Sequence, residues 1–375
     1  GTVIVDTYEA SPFKDMGTSN PNGSQRYYIG HVDWTGVNGL IEYTGSDKFS
    51  AVLQMGTSSQ KYQWEGFYTA APSTLSRKIT VDGGYIKGGA NYRANDSSNF
   101  FFNVGQIMRP PSFDGVFPNA DYDFEEADEI LNESFTSFEL GYGFRSSNFK
   151  GTINAYHTVW GDRTLRRSTS IDDQGVRIIY SGVEQTHQGI EGEMTWYPSS
   201  RLRVNGMVSL GDWKYTKNFQ GDAYFIDNNQ PAGTTGTLYL DGVKIGDAAQ
   251  TVLYLGFDYK VSSKLSVDLD MMSYDNLHGR FGPLDSEFDS ANNRGSIKLP
   301  SWGTADLGAT YSFSLLGYDA RARLNVNNLF DEEYLSQSQT NFHNDGGRTW
   351  NGINVENNVY FGKGTTWNLG LNINF

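Results

Sequence analysis

Residues 320 to 326 alternate strictly between two kinds of side chain. Alanine, leucine or valine occupies each even position, and arginine or asparagine occupies each odd position. A period of two residues is typical of a β-strand whose two faces meet different surroundings. In a soluble sandwich the polar face meets solvent, whereas in an outer-membrane barrel it lines a wet lumen and the apolar face meets lipid.

Similar alternating segments recur in pairs along the chain. Short polar turns join the two members of each pair, at residues 44–47, 94–98, 145–148, 198–200, 261–263 and 314–317. Long polar segments separate the pairs, at residues 62–82, 109–133, 163–185, 213–248, 274–298 and 335–363. Long unstructured loops are uncommon in compact soluble domains. The alternation therefore favours an outer-membrane barrel with short periplasmic turns and long extracellular loops.

The segments predict an all-β fold in the form of an antiparallel transmembrane β-barrel. About 13 strands are expected across residues 34–375. Residues 1–33 are expected to form an extracellular loop or one extra strand, because residues 26–32 are weakly strand-like. An extra strand would raise the count to about 14, and single-chain bacterial barrels have even numbers of strands.

Composition excludes several other classes of protein. The formal net charge of −14 argues against nucleic-acid binding, which depends on lysine and arginine neutralising phosphates. The chain has no cysteine, so disulfides, zinc–cysteine sites and thiol catalysis are excluded. No apolar run approaches the roughly 20 residues that a spanning helix needs. An aromatic content of 14% suits a lipid-facing β-surface.

The two faces of the predicted strands carry different residues. On the apolar face an aromatic residue precedes each short turn, as expected of a girdle at the membrane interface. These residues are Tyr43, Tyr92, Phe144, Trp196, Tyr259 and Phe313. The opposite face carries charges of both signs, which suits a hydrated lumen. The lumen-facing candidates are Glu191, Glu193, Asp268, Asp270, Arg321 and Arg323.

Several motifs resemble those of one family. Residues 327–334 read NNLFDEEY, similar to the family segment N-L-F-D-x-x-Y, and residues 189–193 read GIEGE, similar to its G-x-E-x-E strand. Residues 109–113 (RPPSF) resemble its R-A-P-S element, and Phe375 supplies an aromatic carboxyl terminus. On these motifs the chain resembles the TonB-dependent outer-membrane transporters, specifically the carboxyl-terminal part of their barrel.

The resemblance implies a barrel of about 22 strands occluded by an amino-terminal plug domain, with the plug not in this chain. It implies active uptake of a scarce nutrient such as a siderophore, oligosaccharide or peptide, driven by the TonB complex through an amino-terminal region absent here. The chain would cross the outer membrane of a Gram-negative bacterium many times and contact lipid and lipopolysaccharide. A surface lipoprotein is a further candidate partner. No cofactor is implied.

Other functions stay open at this point. A passive outer-membrane porin of about 14 strands would show the same strand pattern. A surface glycan-binding β-protein would also be rich in aromatic residues. No G-x-S-x-G elbow, P-loop or Rossmann glycine pattern is present, so an enzyme is not expected.

Aromatic residues of the long loops are candidates for ligand binding. Tyrosine and tryptophan combine a large contact area with a polar edge and could stack on a sugar, an aromatic siderophore or a peptide. Packing of the loops against one another is the alternative role for them. Arg163 follows an outgoing strand and could bind an anionic group. The ligand-binding candidates are Trp64, Tyr68, Trp160, Arg163, Trp213, Tyr215 and Trp350.

An acidic loop is a candidate for calcium, which prefers oxygen ligands. Its central residues are Asp121, Asp123, Glu125 and Glu126. They do not follow the spacing of an EF-hand, so a solvated acidic loop is the favoured interpretation. The five histidines are scattered, and neither zinc nor iron ligation is predicted.

Overall fold

The computed structural model describes residues 2–3, 28–66, 74–117, 126–127, 129–171, 174–225, 230–282 and 285–374. These residues form 21 strands, of which thirteen have nine or more residues. The long strands are β2 (Tyr28–Ser46), β3 (Phe49–Gly66), β5 (Ile79–Asn95), β6 (Ser98–Arg109), β7 (Glu133–Arg145), β8 (Phe149–Ile171), β9 (Gln174–Ser199), β10 (Leu202–Tyr215), β13 (Thr251–Lys260), β14 (Leu265–Asp275), β15 (Trp302–Leu315), β16 (Tyr318–Asn327) and β21 (Thr366–Asn374).

The remaining strands are short. They are β1 (Thr2–Val3), β4 (Thr74–Leu75), β11 (Phe219–Phe225), β12 (Pro231–Leu238), β17 (Leu335–Ser338), β18 (Thr349–Trp350), β19 (Ile353–Asn354) and β20 (Val359–Phe361). The described helices are α1 (Phe113–Val116) and a 3₁₀ turn at Ser286–Asp289. Neither of these helices has the length and hydropathy that a membrane-spanning helix requires.

Each long strand pairs with the next long strand along the chain, antiparallel, from β2 to β21. The predicted all-β antiparallel architecture is confirmed. The thirteen long strands agree with the expected number of about 13. All six predicted short turns lie between paired strands. In the last of them Leu316 and Gly317 have φ angles of 53° and 87°, the left-handed pair that a two-residue type I′ hairpin requires.

Cross-strand register gives the sheet one polar and one apolar face. Opposite one another on six neighbouring strands lie Arg203, Asp258, Asp268, Gly308, Asn325 and Asn368. The adjacent row, whose side chains point to the other face, consists of Val204, Phe257, Leu269, Leu307, Val326 and Trp367. The two faces are therefore separated as the alternation predicts.

The predicted aromatic girdle lies on the apolar face, at the end of the sheet that carries the short turns. Its most exposed member is Tyr43, at 54%, and Phe144, Trp196 and Tyr259 are also exposed. Phe313 is half-buried. Exposed aromatic rings at the same level along the strands of an apolar face are typical of residues that lie in the headgroup region of a bilayer.

The two end strands of the sheet are only partly paired. β2 pairs with β3 along its length and with β1 only through Thr2–Val3. β21 pairs with β16, and within the described ranges its other edge has no strand partner. β2 begins at Tyr28, so residues 28–33 lie within this first long strand.

Most of the buried apolar side chains lie in the long loops and at the ends of the strands that lead into them. They form three clusters, which we name the first, second and third loop cores. The first comprises Val176, Ile178, Tyr180, Val183, Tyr215, Phe219, Ala223, Leu238, Leu240, Val243 and Phe288. The second comprises Tyr28, Tyr62, Trp64, Ile79, Val116 and Phe117, and the third Leu277, Ile297, Leu299, Leu335 and Ile353.

The expectation of long unstructured loops is wrong for residues 163–185. β8 continues to Ile171 and β9 begins at Gln174, so the two strands form an arm that extends beyond their neighbours. Val176 and Tyr180 on this arm are fully buried against β11 and β12. Burial of this apolar surface stabilises strand structure in a segment whose polar composition had indicated a loop.

Candidate functional site

Aromatic residues gather on the polar face at the end of the sheet where the long loops begin. Register places Phe135, Trp160, Gln185 and Tyr215 opposite one another on β7, β8, β9 and β10. The next row toward the short turns contains Thr158, His187 and Trp213. Residues that are far apart in the chain therefore meet in neighbouring rows across β7, β8, β9 and β10.

Trp160 lies at the centre of this group. Its ring stacks on Phe135 with 5.0 Å between centroids, and the guanidinium of Arg163 lies 3.9 Å above the indole. A cation at this distance from an indole face is stabilised by the ring quadrupole. Arg163 can reach back to Trp160 because the β8–β9 register shifts between these two residues.

Trp213 is held by a second set of contacts. Its indole Nε1 donates a 2.9 Å hydrogen bond to the Tyr156 hydroxyl, and its ring centroid is 5.5 Å from that of His187. Tyr156 lies flat across Gly189, where a Cβ would come within 2.7 Å of the tyrosine hydroxyl. Glycine at 189 therefore allows Tyr156 to lie low enough to bind Trp213.

Two donors in this group have no acceptor. Trp160 Nε1 and Arg163 Nε are buried and have no hydrogen-bond partner among the residues that the structure describes. An unpaired buried N–H costs free energy, and a ligand oxygen would remove that cost. We name Phe135, Trp160, Arg163, His187 and Trp213 the aromatic–arginine cluster.

The structure distributes the predicted ligand-binding residues over several places. Trp160, Arg163 and Trp213 meet in the aromatic–arginine cluster. Tyr215 is adjacent but buried in the first loop core. Trp64 is 3% exposed in the second loop core and packs on Tyr28.

The remaining predicted ligand residues are also separate from the cluster. Trp350 packs edge-on against Phe361 beside the third loop core, with 5.1 Å between ring centroids. Tyr68 lies outside the described residues.

Four of the six lumen-facing candidates make polar contacts on the polar face. Arg323 binds both carboxylate oxygens of Asp268 at 2.8 Å, and Asp270 accepts a 2.6 Å hydrogen bond from the Tyr254 hydroxyl. Glu191 accepts a bond from Ser209 at 3.4 Å. Glu193 and Arg321 share the face by register, opposite Met207 and Ser312 respectively.

The sequence did not predict that three aromatic residues outside this cluster meet in a second group. Tyr274, Trp302 and Tyr334 stack with centroid distances of 4.1 Å and 3.8 Å. Phe135, Tyr156 and His187 were missed as well. Each has the strand parity of the polar face, but only the register with neighbouring strands brings it to the cluster.

The acidic loop is only partly described. Glu126 forms an ion pair with Arg77 across two loops, which makes it a structural contact. Asp121, Asp123 and Glu125 lie outside the described residues. Within the described ranges no group of three or more histidine or acidic residues is arranged to hold a metal ion.

An ion-pair group outside the membrane-spanning strands joins two of the long loops. Arg294 binds Glu287 through its side chain and its backbone N–H, and its guanidinium also binds Asp345. The hydrogen bond from Arg294 lowers the pKa of Glu287 below its ordinary value of 4.5. These contacts hold the two loops together.

Comparison with known proteins agrees with this architecture. The sequence profile described as "TonB dependent receptor-like, beta-barrel" matches residues 6–329. No sequence among curated proteins matches the chain.

Solved structures with a similar fold are receptors and transporters by their titles. The ferric yersiniabactin uptake receptor FyuA from Yersinia pestis has a TM-score of 0.60 and 12% identity, over 93% of this chain and 46% of that one. The FrpB iron transporter from Neisseria meningitidis has a TM-score of 0.60 and 15% identity, over 98% and 49%. BauA, the ferric preacinetobactin receptor from Acinetobacter baumannii, has a TM-score of 0.59 and 15% identity, over 92% and 43%.

This chain therefore spans about half the length of these structures, and the likeness concerns the fold. The matched profile extends over most of the sequence and covers twelve of the thirteen long strands, from β2 to β16. The motifs around residues 189–193 and 327–329 fall within it. The chain belongs to the TonB-dependent receptor family, and its sheet is part of that family's β-barrel.

Proposed function

We propose that the chain forms the carboxyl-terminal part of an outer-membrane transporter that takes up a scarce nutrient with energy from the TonB complex. The aromatic–arginine cluster carries this proposal, because it places ligand-type contacts on the polar face at the loop end. A solute that leaves the loops would meet this cluster before it reaches the rest of the wall.

The chemistry of the cluster favours a ligand with both rings and oxygen acceptors. Trp160 and Trp213 offer aromatic faces, and Trp160 Nε1 and Arg163 Nε offer unpaired donors. A siderophore, an oligosaccharide or a peptide can use both kinds of contact. The titles of the similar structures name ferric preacinetobactin, ferric yersiniabactin and iron. We therefore propose a ferric complex, such as that of a siderophore, as the first class to test.

We propose that the apolar face of the sheet contacts membrane lipids. Just above its apolar rows, Asp212 binds both Lys214 and Lys244. We propose that these lysines lie at the level of lipopolysaccharide phosphates. Contact with TonB, and with a surface lipoprotein, would depend on parts of the protein outside this sheet. No enzymatic activity is proposed.

The partly unpaired edges favour a larger barrel over a passive porin of about 14 strands. In the described ranges β2 pairs with β1 and β3, and β21 pairs with β16, but β2 and β21 do not pair with each other. Bare strand edges are not tolerated in lipid. Further strands would satisfy them. The broad exposed apolar face, with residues such as Ile41 and Leu371, favours a membrane protein over a soluble glycan-binding protein.

The proposal is tested by ligand binding to the full-length natural protein. A panel of ferric siderophores, oligosaccharides and peptides is titrated in detergent while tryptophan fluorescence is followed. For the ligand that binds, Trp160→Ala and Arg163→Gln are expected to weaken affinity at least tenfold. Trp367→Phe, on the apolar face, is the control and should leave affinity unchanged. Equal affinity of all three variants and the unmodified protein would contradict the proposed site.

A further inference from the structure

Three segments of the long loops cross at one place, which we name the loop junction. They are residues 243–250, 276–282 and 293–299. The Gly279 N–H donates a 2.8 Å hydrogen bond to the Ile297 carbonyl oxygen. A Cβ at Gly246 would come within 2.5 Å of the Gly279 carbonyl oxygen. The three segments therefore pack backbone against backbone.

His278 lies in the loop junction, just beyond the end of β14. Its neighbours Leu277 and Gly279 are buried, and His278 itself is half-buried. Its backbone carbonyl accepts a 3.3 Å hydrogen bond from the Asp247 N–H. Its imidazole Nδ1 lies 3.3 Å from both the carbonyl oxygen and the hydroxyl oxygen of Ser296. His278 therefore contacts both of the other segments.

The hydrogen bonds of Ser296 decide which nitrogen of His278 carries the proton of the neutral ring. The Ser296 hydroxyl donates its hydrogen to the Lys244 carbonyl oxygen at 2.8 Å, so toward the imidazole it acts as an acceptor. The Ser296 carbonyl oxygen is also an acceptor. Nδ1 therefore carries the hydrogen of the neutral ring, and a second proton binds at Nε2 on acidification.

Positive charge from two segments faces the ring. Burial lowers the pKa of His278 below its ordinary value of 6.5, and Lys244 and Lys298 lower it further. The hydrogen bond to Ser296 and the charge of Asp275 act in the opposite direction but are outweighed. A proton on Nε2 would place a third positive charge beside two lysines at a half-buried position, which is unfavourable.

The carboxylates nearest to His278 already have partners. Asp275 binds Lys298 at 2.9 Å, and Asp212 of β10 binds Lys244. The other charged or titratable groups on the elements that pack here are Lys214, Asp247, Arg280, Arg294 and His343. A protonated His278 would therefore have to compete with a lysine for a carboxylate.

We propose that the loop junction is an acid-sensitive switch, in which protonation of His278 at Nε2 separates residues 276–282 from residues 243–250 and 293–299. At neutral pH the neutral ring holds the three segments together. The junction also contacts the aromatic–arginine cluster, because the Trp213 carbonyl oxygen accepts a 3.1 Å hydrogen bond from the Ile245 N–H. Separation of the segments would therefore loosen one side of that cluster. The switch does not depend on which solute the protein transports.

The direction of the pH dependence follows from the lowered pKa of His278. Separation of the segments exposes the ring to solvent and restores its ordinary pKa, so the separated state binds a proton more readily than the closed state. The closed junction is therefore fully stabilised above about pH 6.5 and loses stability as pH falls through the lowered pKa. This range lies above that of Glu287, whose ordinary pKa is 4.5.

Hydrogen exchange of the full-length natural protein in detergent, followed by mass spectrometry, tests the switch. Protection factors, which correct for the intrinsic pH dependence of exchange, are compared at about pH 7.5 and about pH 5.5 for residues 276–282 and 293–299. Protection of both segments is expected to fall about threefold or more on acidification. His278→Asn keeps a donor near the position of Nδ1 but cannot become charged, so its protection should not fall.

Two control variants separate His278 from the other histidines. His343 Nε2 donates a 3.0 Å hydrogen bond to the Gly295 carbonyl oxygen in the same junction, and His343→Gln retains a donor there. His157→Gln replaces a histidine of β8. Both controls should keep the acid response of the unmodified protein. Loss of the response in either control, its persistence in His278→Asn, or equal protection of the unmodified protein at the two pH values would overturn the proposal.

Lys298→Gln provides a second test if His278→Asn does not fold. This variant removes one of the two lysine charges beside the ring and frees Asp275 to pair with the protonated imidazole. The fall in protection on acidification should then shrink to about half or less of that in the unmodified protein. A fall as large as in the unmodified protein would count against the switch.

Discussion

Close approaches at single residues position the proposed ligand site. Gly189 allows Tyr156 to lie against the backbone, and the Tyr156 hydroxyl then fixes Trp213 through the indole N–H. A Cβ at this position would also come within 2.5 Å of the Leu210 carbonyl oxygen. A methyl group at position 189 would clash with both the Tyr156 side chain and the Leu210 backbone. The position of Trp213 therefore depends on glycine at 189.

Gly189→Ala is therefore expected to destabilise the protein by about 1–3 kcal/mol, the range for overpacking of a filled site. It should also displace Trp213 and shift its fluorescence emission. Gly370→Ala on β21 is the control, because a Cβ there meets nothing within 4 Å. Thermal unfolding in detergent, followed by tryptophan fluorescence, measures both effects. Equal midpoints for the two variants would contradict this explanation.

At the scale of elements, the long loops are packed structures with their own cores. Phe288 is fully buried in the first loop core, between strands of the β8–β9 arm and β12. The described long strands form one sheet, and we propose that lipid covers its apolar face and water its polar face, so that the sheet does not depend on a core of this kind. Loop stability and wall stability should therefore respond to different substitutions.

Phe288→Ala is expected to cost the first loop core about 3–5 kcal/mol, as for other buried phenylalanines. Limited proteolysis in detergent should then cut within residues 216–250 while the thirteen long strands stay resistant. Phe330→Ala, whose ring is 77% exposed, is the matched control and should not change the cleavage pattern. Cleavage within the strands of the sheet would show that loops and wall are not separate units.

The ion-pair group at Glu287 predicts a pH dependence of the loops. Because Arg294 lowers the pKa of Glu287 below 4.5, the stabilisation is complete above that ordinary value and is lost as pH falls through the lowered one. Hydrogen exchange in residues 285–295 should therefore accelerate on acidification below about pH 4.5. The Arg294 side chain is about half exposed, at 48%, so solvent screens the ion pair and the effect should be modest.

Arg294→Gln is the matched variant for this prediction. It removes the charge that lowers the Glu287 pKa, so exchange in the segment should be faster at neutral pH and should depend less on acid. An unchanged acid response in this variant would assign the titration to another group.

At the scale of the whole molecule, period-two alternation predicted the sheet of long strands but not the packing of the long loops. Each strand segment carries its own pattern, so the turns, the strand number and the two faces follow from local sequence. Loop packing depends on contacts between distant segments, and the polar composition of residues 163–185 concealed the β8–β9 arm. Trp160 and Trp213 were predicted as ligand-binding candidates because they are aromatic residues of the long loops. Their partners Tyr156 and His187 can be identified only when the register of the strands is known.

The separation of two faces also predicts how charge is tolerated. Leu324 and Asn325 are neighbours on β16 but point to opposite faces. Leu324→Arg should cost about 2–4 kcal/mol of folding free energy in lipid bilayers if it lies near the midplane. Asn325→Arg should cost much less, because a hydrated face accepts charge. Denaturant titration of both variants in liposomes measures the difference.

The central claim is that the apolar face meets lipid and the polar face lines the lumen, and site-directed labelling tests it most directly. The chain has no cysteine, so Leu324→Cys and Asn325→Cys each introduce a single attachment point for a polarity-sensitive fluorophore. In liposomes that contain brominated lipid, we expect strong quenching and blue-shifted emission at position 324 and neither effect at position 325. Equal quenching at the two positions, or the reverse order, would contradict the claim.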